Sequence, residues 1–230
     1  MKAFLLAAGV GSRLRPLTDT TPKCLVPIRG EPLLGIWFKL LEKFGIAEVL
    51  VNAHANSAQV RQFLQGRFPH HRVTLAEEPE LLGSAGTLAA NQAWLGSDPT
   101  FLVLYADVLT NADLAKMLRF HACHPTAATL GVYRVPDPRR CGIAVVDPFG
   151  RIERFVEKPA APPGNLAFSG ILIGTQTLLE VIPRKRPADI GFDVLPRLAG
   201  RMFAYPIPEF LLDIGTMENY QQAQLDWPGI

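Results

Sequence analysis

The stretch Leu6-Ala7-Ala8-Gly9-Val10-Gly11-Ser12-Arg13-Leu14-Arg15-Pro16, closed by Pro22-Lys23, has the make-up of an anion-binding loop. It follows a short apolar run, Ala3 to Leu6, that reads as a buried first strand. Gly9 and Gly11 carry no Cβ, so the backbone there tolerates φ > 0 and can approach a ligand closely. Successive amide N–H groups in such a turn form a concavity for oxyanions. Arg13, Arg15 and Lys23 add positive charge within a short span. The chemistry implied is the holding of a polyphosphate.

The spacing matches neither of the commonest phosphate loops. The Walker pattern needs Gly, four residues, then Gly-Lys-Ser/Thr. The dinucleotide fingerprint needs a third glycine or alanine where this chain has Leu14. It also wants an acid at the end of the second strand, and the strand Glu48–Asn52 runs instead into Ala53-His54. A nicotinamide-dependent dehydrogenase is disfavoured on both counts.

Four further groups could do chemistry. Asp107 follows the apolar strand Thr100–Ala106, and ligands of open α/β sheets sit beyond the carboxyl ends of strands. A carboxylate there is either a Mg²⁺ ligand or a helix cap. Asp213, in Leu211-Leu212-Asp213-Ile214-Gly215-Thr216, ends a second apolar strand before a helix and by itself reads as a turn and cap. Phe155-Val156-Glu157-Lys158-Pro159 is a charged strand end in which Pro159 predicts an extended Lys158. Glu77-Glu78-Pro79-Glu80-Leu81-Leu82-Gly83-Ser84-Ala85-Gly86-Thr87 sets three acids before a glycine turn.

Together these strings resemble the sugar-1-phosphate nucleotidyltransferases, from Met1 to about Leu225. The resemblance implies an enzyme of nucleotide-sugar biosynthesis that joins an NTP to a sugar 1-phosphate and releases pyrophosphate. It assigns the NTP to Leu6, Ala7, Ala8, Gly9, Gly11, Ser12, Arg13, Lys23, Glu78, Gly83, Ser84 and Ala85. The sugar phosphate falls to Gly142, Glu157, Lys158, Ser169 and Gly170, and Mg²⁺ to Asp107 and Asp213. Arg13, Lys23, Asp107, Lys158 and Asp213 are the implied catalytic set. Ala106 replaces a usual glycine, Ser84 a usual threonine, and Ser169 a usual Asn or Ala. No β-helix or regulatory domain is expected after the final helix.

The base is read from donor patterns. Guanine offers N1–H and N2–H₂ side by side, which suit a carboxylate, whereas uracil and thymine suit a glutamine or backbone groups. No glutamine stands between Gln65 and Gln92, so GTP is favoured. The stretch Phe192-Asp193-Val194-Leu195-Pro196 looks most like mannose-1-phosphate guanylyltransferases. The short form also resembles heptose-1-phosphate guanylyltransferases and N-acetylmuramate-1-phosphate uridylyltransferases. A uridylyl- or thymidylyltransferase on such a sugar, or glucose, is the alternative; a catalytically silent sugar-nucleotide sensor is the reading from another class.

The elements that must position these groups alternate strand and helix, which predicts an α/β, Rossmann-like, mostly parallel twisted sheet with helices on both sides. One nucleotidyltransferase domain, 1–230, is expected, with a nucleotide-binding half to about 125 and a more antiparallel sugar-phosphate half from about 126. Helices are predicted over Pro32–Phe44, Ser57–Phe68, Thr87–Trp94, from an Asn111 cap to His121, Thr175–Ile182, Phe192–Ala199 and, capped by Thr216, Glu218–Leu225. At 230 residues, 48% hydrophobic and 19% charged, the chain can bury a sizeable core. A net charge of +2 gives no reason to expect nucleic acid as a partner. No apolar run reaches membrane-spanning length. The Ala3–Ala8 run is too short for a secretory signal, and the 3 Cys suit reduced thiols, so a cytoplasmic location is expected. Trp37, Phe38, Leu40 and Leu41 belong to the core or to a homodimer interface. His121, Cys123 and His124 lack the spacing of a metal site.

Overall fold

The apolar runs pair as strands with the predicted boundaries shifted by one or two residues. The computed structural model describes residues 1–230. The strands are β1 (Lys2–Leu6), β2 (Pro27–Ile28), β3 (Glu31–Pro32), β4 (Glu48–Ala53), β5 (Arg72–Glu77), β6 (Thr100–Tyr105), β7 (Val108–Thr110), β8 (Ala128–Arg134), β9 (Gly142–Val146), β10 (Ile152–Glu157), β11 (Leu166–Thr175), β12 (Met202–Pro206) and β13 (Leu211–Asp213). The helices are α1 (Leu17–Thr20), α2 (Leu33–Lys43), α3 (Ser57–Leu64), α4 (Ser84–Ala90), α5 (Gln92–Leu95), α6 (Leu114–Cys123), α7 (Gln176–Glu180) and α8 (Met217–Asp226). The expected α/β class holds. No helix is long and apolar enough to cross a membrane.

The chain divides into two compact units that interleave along it. Unit 1 comprises Met1–Leu81, Leu104–Ala112 and Glu209–Ile230; unit 2 comprises Leu82–Val103 and Asp113–Pro208. In unit 1, β1, β4 and β5 are parallel neighbours, with Leu6 opposite Asn52 and Asn52 opposite Ala76. The three strands therefore end level, and their carboxyl ends are where a ligand is met. Ala3, Phe4, Leu5, Val49, Leu50 and Val51 are fully buried. Helix α2 is apolar almost all round, as a buried helix must be. Trp37, Phe38, Leu40 and Leu41 are buried within the chain, which assigns them to the core, each worth about 1.5–3 kcal/mol of burial.

Unit 2 is mainly antiparallel. β9 pairs with β10 and β11, and β11 with β8, all antiparallel, while β12 runs parallel to β8. The turn Asp147-Pro148-Phe149-Gly150 forms as predicted, closed by Gly150 N–H to the Asp147 carbonyl at 3.1 Å.

Four predicted helices come out differently, the first being Ser57–Phe68, which stops at Leu64. The segment read as Thr87–Trp94 begins earlier, at Ser84, and breaks at Asn91 into α4 and α5. Helix α6 is capped by Asp113, whose carboxylate accepts from Lys116 N at 2.9 Å, not by Asn111. Asn111 instead accepts from Phe210 N at 3.1 Å, and residues 108–110 ahead of it form the unpredicted strand β7. The segment Phe192–Ala199 is a π-helical turn, Ile190–Val194, followed by a 3₁₀ turn, Leu195–Leu198. Pro196 has no N–H to continue an α-helix there.

Candidate active site

The glycine loop after β1 is built by its own carbonyls and leaves its amides open. Gly11 adopts φ 68° and ψ 29°, and its carbonyl accepts from Leu14 N at 2.9 Å and Thr18 Oγ1 at 2.7 Å. A Cβ at Gly11 would stand 3.0 Å from Lys23 Cβ, so glycine also lets the loop lie on the lysine stem. The amides of Gly9, Val10 and Ser12 take no hydrogen-bond partner from the chain. Gly9 and Val10 line a cavity of about 190 Å³, together with Arg15 and Lys23. Such a turn is ready for a phosphate. Leu6 and Ala7 hold the loop rather than open onto it: Leu6 O accepts from Ala106 N at 3.0 Å, and Ala7 N donates to Asn52 Oδ1 at 2.7 Å.

The two aspartates meet through β7 and β13. These strands are antiparallel, with Asp213 opposite Val108, and Ile214 N donates to the Asp107 carbonyl at 2.8 Å. Both capping readings fail. A strand, not a helix, follows Asp107, and the helix after Asp213 is capped by Thr216 Oγ1, which accepts from Asn219 N at 3.2 Å. Lys23 is buried, and its Nζ lies 2.5 Å from Asp107 Oδ2. At Gly215 a Cβ would come 2.6 Å from Asp213 Oδ1 and 3.2 Å from an Arg13 guanidinium nitrogen, so these two groups converge over its Cα. Burial, with a smaller contribution from Asp107, pushes the neighbouring Cys24 thiol up to about 12 and leaves it no nucleophile.

The donors that Asp107 and Asp213 could offer a metal are carboxylate oxygens. No cluster of three or more His, Cys, Asp or Glu groups forms anywhere, so nothing here could close a zinc or calcium site unaided. Two adjacent carboxylates suit Mg²⁺, which keeps waters and completes its shell with substrate phosphates. Of the histidine–cysteine group, His121 is buried with Nδ1 2.8 Å from Thr129 Oγ1, and His124 stacks on Phe120 at 4.1 Å.

The three acids ahead of Gly83 have different fates. Glu77 is exposed and ion-paired with Arg61, which holds its carboxyl below the usual range. Glu80 is exposed. Glu78 is buried, and its Oε1 accepts from Asn52 Nδ2 at 2.8 Å. Since Asn52 Oδ1 accepts from Ala7 N, one amide side chain ties the buried acid to the start of the phosphate loop. Asn52 was not among the predicted site residues. A polar residue ending the apolar strand Val49-Leu50-Val51 was its signal.

In unit 2 the Gly83-Ser84-Ala85 turn docks on residues 188–190. Ala85 N and Gly86 N donate to the Ala188 carbonyl at 3.0 and 3.1 Å. Ser84 Oγ donates to Asp189 Oδ2 at 2.9 Å and accepts from Ile190 N at 2.7 Å. Gly83 has φ 78°, and a Cβ there would strike the Ala188 carbonyl oxygen. The Ser84 hydroxyl and the Ala85 amide thus serve this docking.

Glu157 and Lys158 close β10. Glu157 pairs with Gly142 across β9, and a Cβ on either Gly142 or Gly191 would collide with Glu157 Oε2. The carboxylate is held between two glycines, one of which, Gly191, sequence reasoning missed. Burial pushes its pKa up; Lys158 opposes this and Asp189 adds to it. Lys158 Nζ is 3.8 Å from Glu157 Oε1. Its backbone corrects the extended prediction: φ is 47°, with Lys158 N donating to the Cys141 carbonyl at 3.0 Å. A following proline disfavours the right-handed helical region and leaves this left-handed one open. Holding a lysine there stores about 1–3 kcal/mol, as functional positions often do. Ser169 is buried, with Oγ accepting from Ile171 N at 3.2 Å, and Gly170, at φ 79°, carries the irregularity in β11. The serine hydroxyl therefore faces the core.

Residues 2–228 match the Nucleotidyl transferase family. The chain belongs to that family. Among curated relatives, mannose-1-phosphate guanylyltransferase 1 of Arabidopsis thaliana is 34% identical over 227 residues, covering 96% of this chain and 63% of the relative. The catalytic subunit beta of mannose-1-phosphate guanylyltransferase from Xenopus tropicalis is 35% identical, covering 96% and 62%. The chain thus spans somewhat under two thirds of these relatives' length. Two solved structures share the fold: HddC from Yersinia pseudotuberculosis complexed with GMP-PN, with a TM-score of 0.82, 22% identity and coverage of 98% and 99%, and UDP-glucose pyrophosphorylase from Acinetobacter baumanii, with a TM-score of 0.86, 23% identity and coverage of 98% and 92%.

Proposed function

We propose that this chain transfers a guanylyl group from GTP to a sugar 1-phosphate, mannose 1-phosphate first among candidates, giving a GDP-sugar and pyrophosphate. The observation that carries the reading is the union of Asp107, Asp213, Lys23 and Arg13 at the end of the β7–β13 ribbon, beside a glycine loop with open amides. The guanylyltransferase relatives favour the base and the sugar.

The nucleophile is a phosphate oxygen, already anionic at neutral pH, so the protein needs no general base. Its task is to bring two anions together and stabilise the charge that develops. Gly9, Val10 and Ser12 amides with Arg13 hold the β- and γ-phosphates and then the leaving pyrophosphate. Lys23, pre-oriented by Asp107, sets its ammonium by the α-phosphate. Lys158 draws in the sugar phosphate, while Glu157 accepts from sugar hydroxyls. Asp107 and Asp213 would hold Mg²⁺, which when bound supplies Lewis-acid stabilisation of the α-phosphate. Glu78 reads the guanine.

Pyrophosphate release measured with Mg²⁺ for four NTPs crossed with several sugar 1-phosphates tests this directly. GTP with mannose 1-phosphate should be the best pair. Preference for UTP or dTTP would overturn the base assignment and leave the transfer chemistry standing. Silence across the whole panel, with sugar nucleotide still bound, would point to the sensor.

A further inference from the structure

Phe192 is a large side chain of unit 2 that the chemistry above leaves unused. The residue is 55% exposed. Phe149 is more exposed, at 86%, but it sits at the tip of a hairpin turn with no charged group over its ring. Phe192 is differently placed. Its backbone N–H donates to Asp189 Oδ1 at 3.0 Å, which caps the π-helical turn Ile190–Val194 and fixes where the ring emerges. The residue before it, Gly191, presses its Cα on the Glu157 carboxylate, where a Cβ would collide. Lys158 Nζ stands over the ring, 5.5 Å from its centroid, within reach of a cation–π attraction. A hydrogen-bond acceptor, a cation and a half-exposed aromatic ring thus meet where the end of β10 packs on the π-helical turn.

A pyranose 1-phosphate presents the complementary three features: hydroxyl donors, a phosphate anion, and a ring face of C–H groups that is apolar and weakly positive. Aromatic faces carry negative charge density and attract such edges. The geometry points to Phe192 as the aromatic floor of the sugar subsite. The C–H face of the pyranose rests on the ring while Glu157 takes its hydroxyls and Lys158 its phosphate. This rests on the sugar 1-phosphate reading above and adds to it a residue that distinguishes a sugar phosphate from a bare phosphate.

The test compares Phe192→Ala with Phe192→Tyr and Phe192→Trp in the full chain. The alanine variant should raise KM for the sugar 1-phosphate about tenfold, the scale of one lost aromatic contact. KM for GTP should not change, and the two aromatic variants should restore the sugar KM. Inorganic phosphate, used as a competitor, should inhibit wild type and Phe192→Ala equally. An unchanged sugar KM in Phe192→Ala overturns the assignment. So does an equal weakening of inorganic phosphate, which would mean that the ring acts only by holding Lys158. Calorimetric titration with mannose 1-phosphate separates this proposal from the functional one. If no NTP pair turns over but the sugar phosphate binds wild type and not Phe192→Ala, the floor stands and the reaction assignment falls; if it binds both alike, the floor falls.

Discussion

Lys23 Nζ lies 2.5 Å from Asp107 Oδ2, with 9% of the lysine side chain exposed against 35% of the aspartate. A buried ammonium requires a partner, and the Asp107 carboxylate supplies it beside the glycine loop. Asp107→Asn and Asp213→Asn should each lower kcat by about 10²–10³, the effect of removing one stabiliser of developing charge. Asp107→Ala should also destabilise the fold by about 1–2 kcal/mol, a figure reduced because the carboxylate is partly solvated. Steady-state rates and urea unfolding check both. Rates near wild type in either asparagine variant would sink the metal assignment.

The cations should divide between the substrates. Arg13→Ala, in the glycine loop, should weaken GTP binding and spare the sugar phosphate. Lys158→Ala should do the reverse. Calorimetric titration of each variant with GTP alone is the measurement, and equal loss of GTP affinity in both would show the division to be wrong.

Base selection should fall to Glu78 and not to Glu77. Glu77 is exposed and committed to Arg61, so Glu77→Gln should leave the GTP-to-UTP ratio of kcat/KM within about twofold, as for most surface changes. Glu78→Gln should lower that ratio. Asn52→Ala unties the Ala7 amide as well as Glu78, so it should also raise KM for every NTP, by about tenfold on the scale of one buried hydrogen bond. If only the base ratio moves in Asn52→Ala, the amide tie has no part in holding the loop.

Glu157 should give the reaction an acid limb above the ordinary carboxylate range, because burial raises its pKa from the usual 4.5 against the pull of Lys158. As pH falls through the raised value the carboxyl takes a proton and accepts sugar hydroxyls less well, so kcat/KM for the sugar 1-phosphate drops. Stability moves the other way. Between 4.5 and the raised value the folded chain holds a proton that the unfolded chain releases, so this group's contribution to stability grows as pH falls and is lost as pH rises. Glu157→Gln should remove both trends. Rate–pH and melting–pH profiles of the two proteins, if superimposable, would rule Glu157 out as their source.

The string from Leu6 to Lys23 was legible without a structure because its chemistry is local: glycines at a turn and cations within a few residues act through one short piece of backbone. The strand ends at Asp107, Glu157 and Asp213 were legible for a similar reason, since an apolar run stopping at a charge marks where a sheet meets solvent. That neither aspartate caps a helix was not. Metal ligand and helix cap look alike in one dimension, and only the pairing of β7 with β13, from segments about a hundred residues apart, set them side by side and gave the caps to Asp113 and Thr216. The acids before Gly83 looked equivalent in sequence; burial and partners separated Glu78, tied to Asn52, from Glu77, tied to Arg61. Gly191 and Asp189 carried no signal, and Phe192 stood only in a string of family likeness, because their place beside Glu157 and Lys158 comes from contacts distant in sequence. Local backbone chemistry is encoded residue by residue, whereas long-range pairing, burial and the choice of partner exist only once the chain has folded.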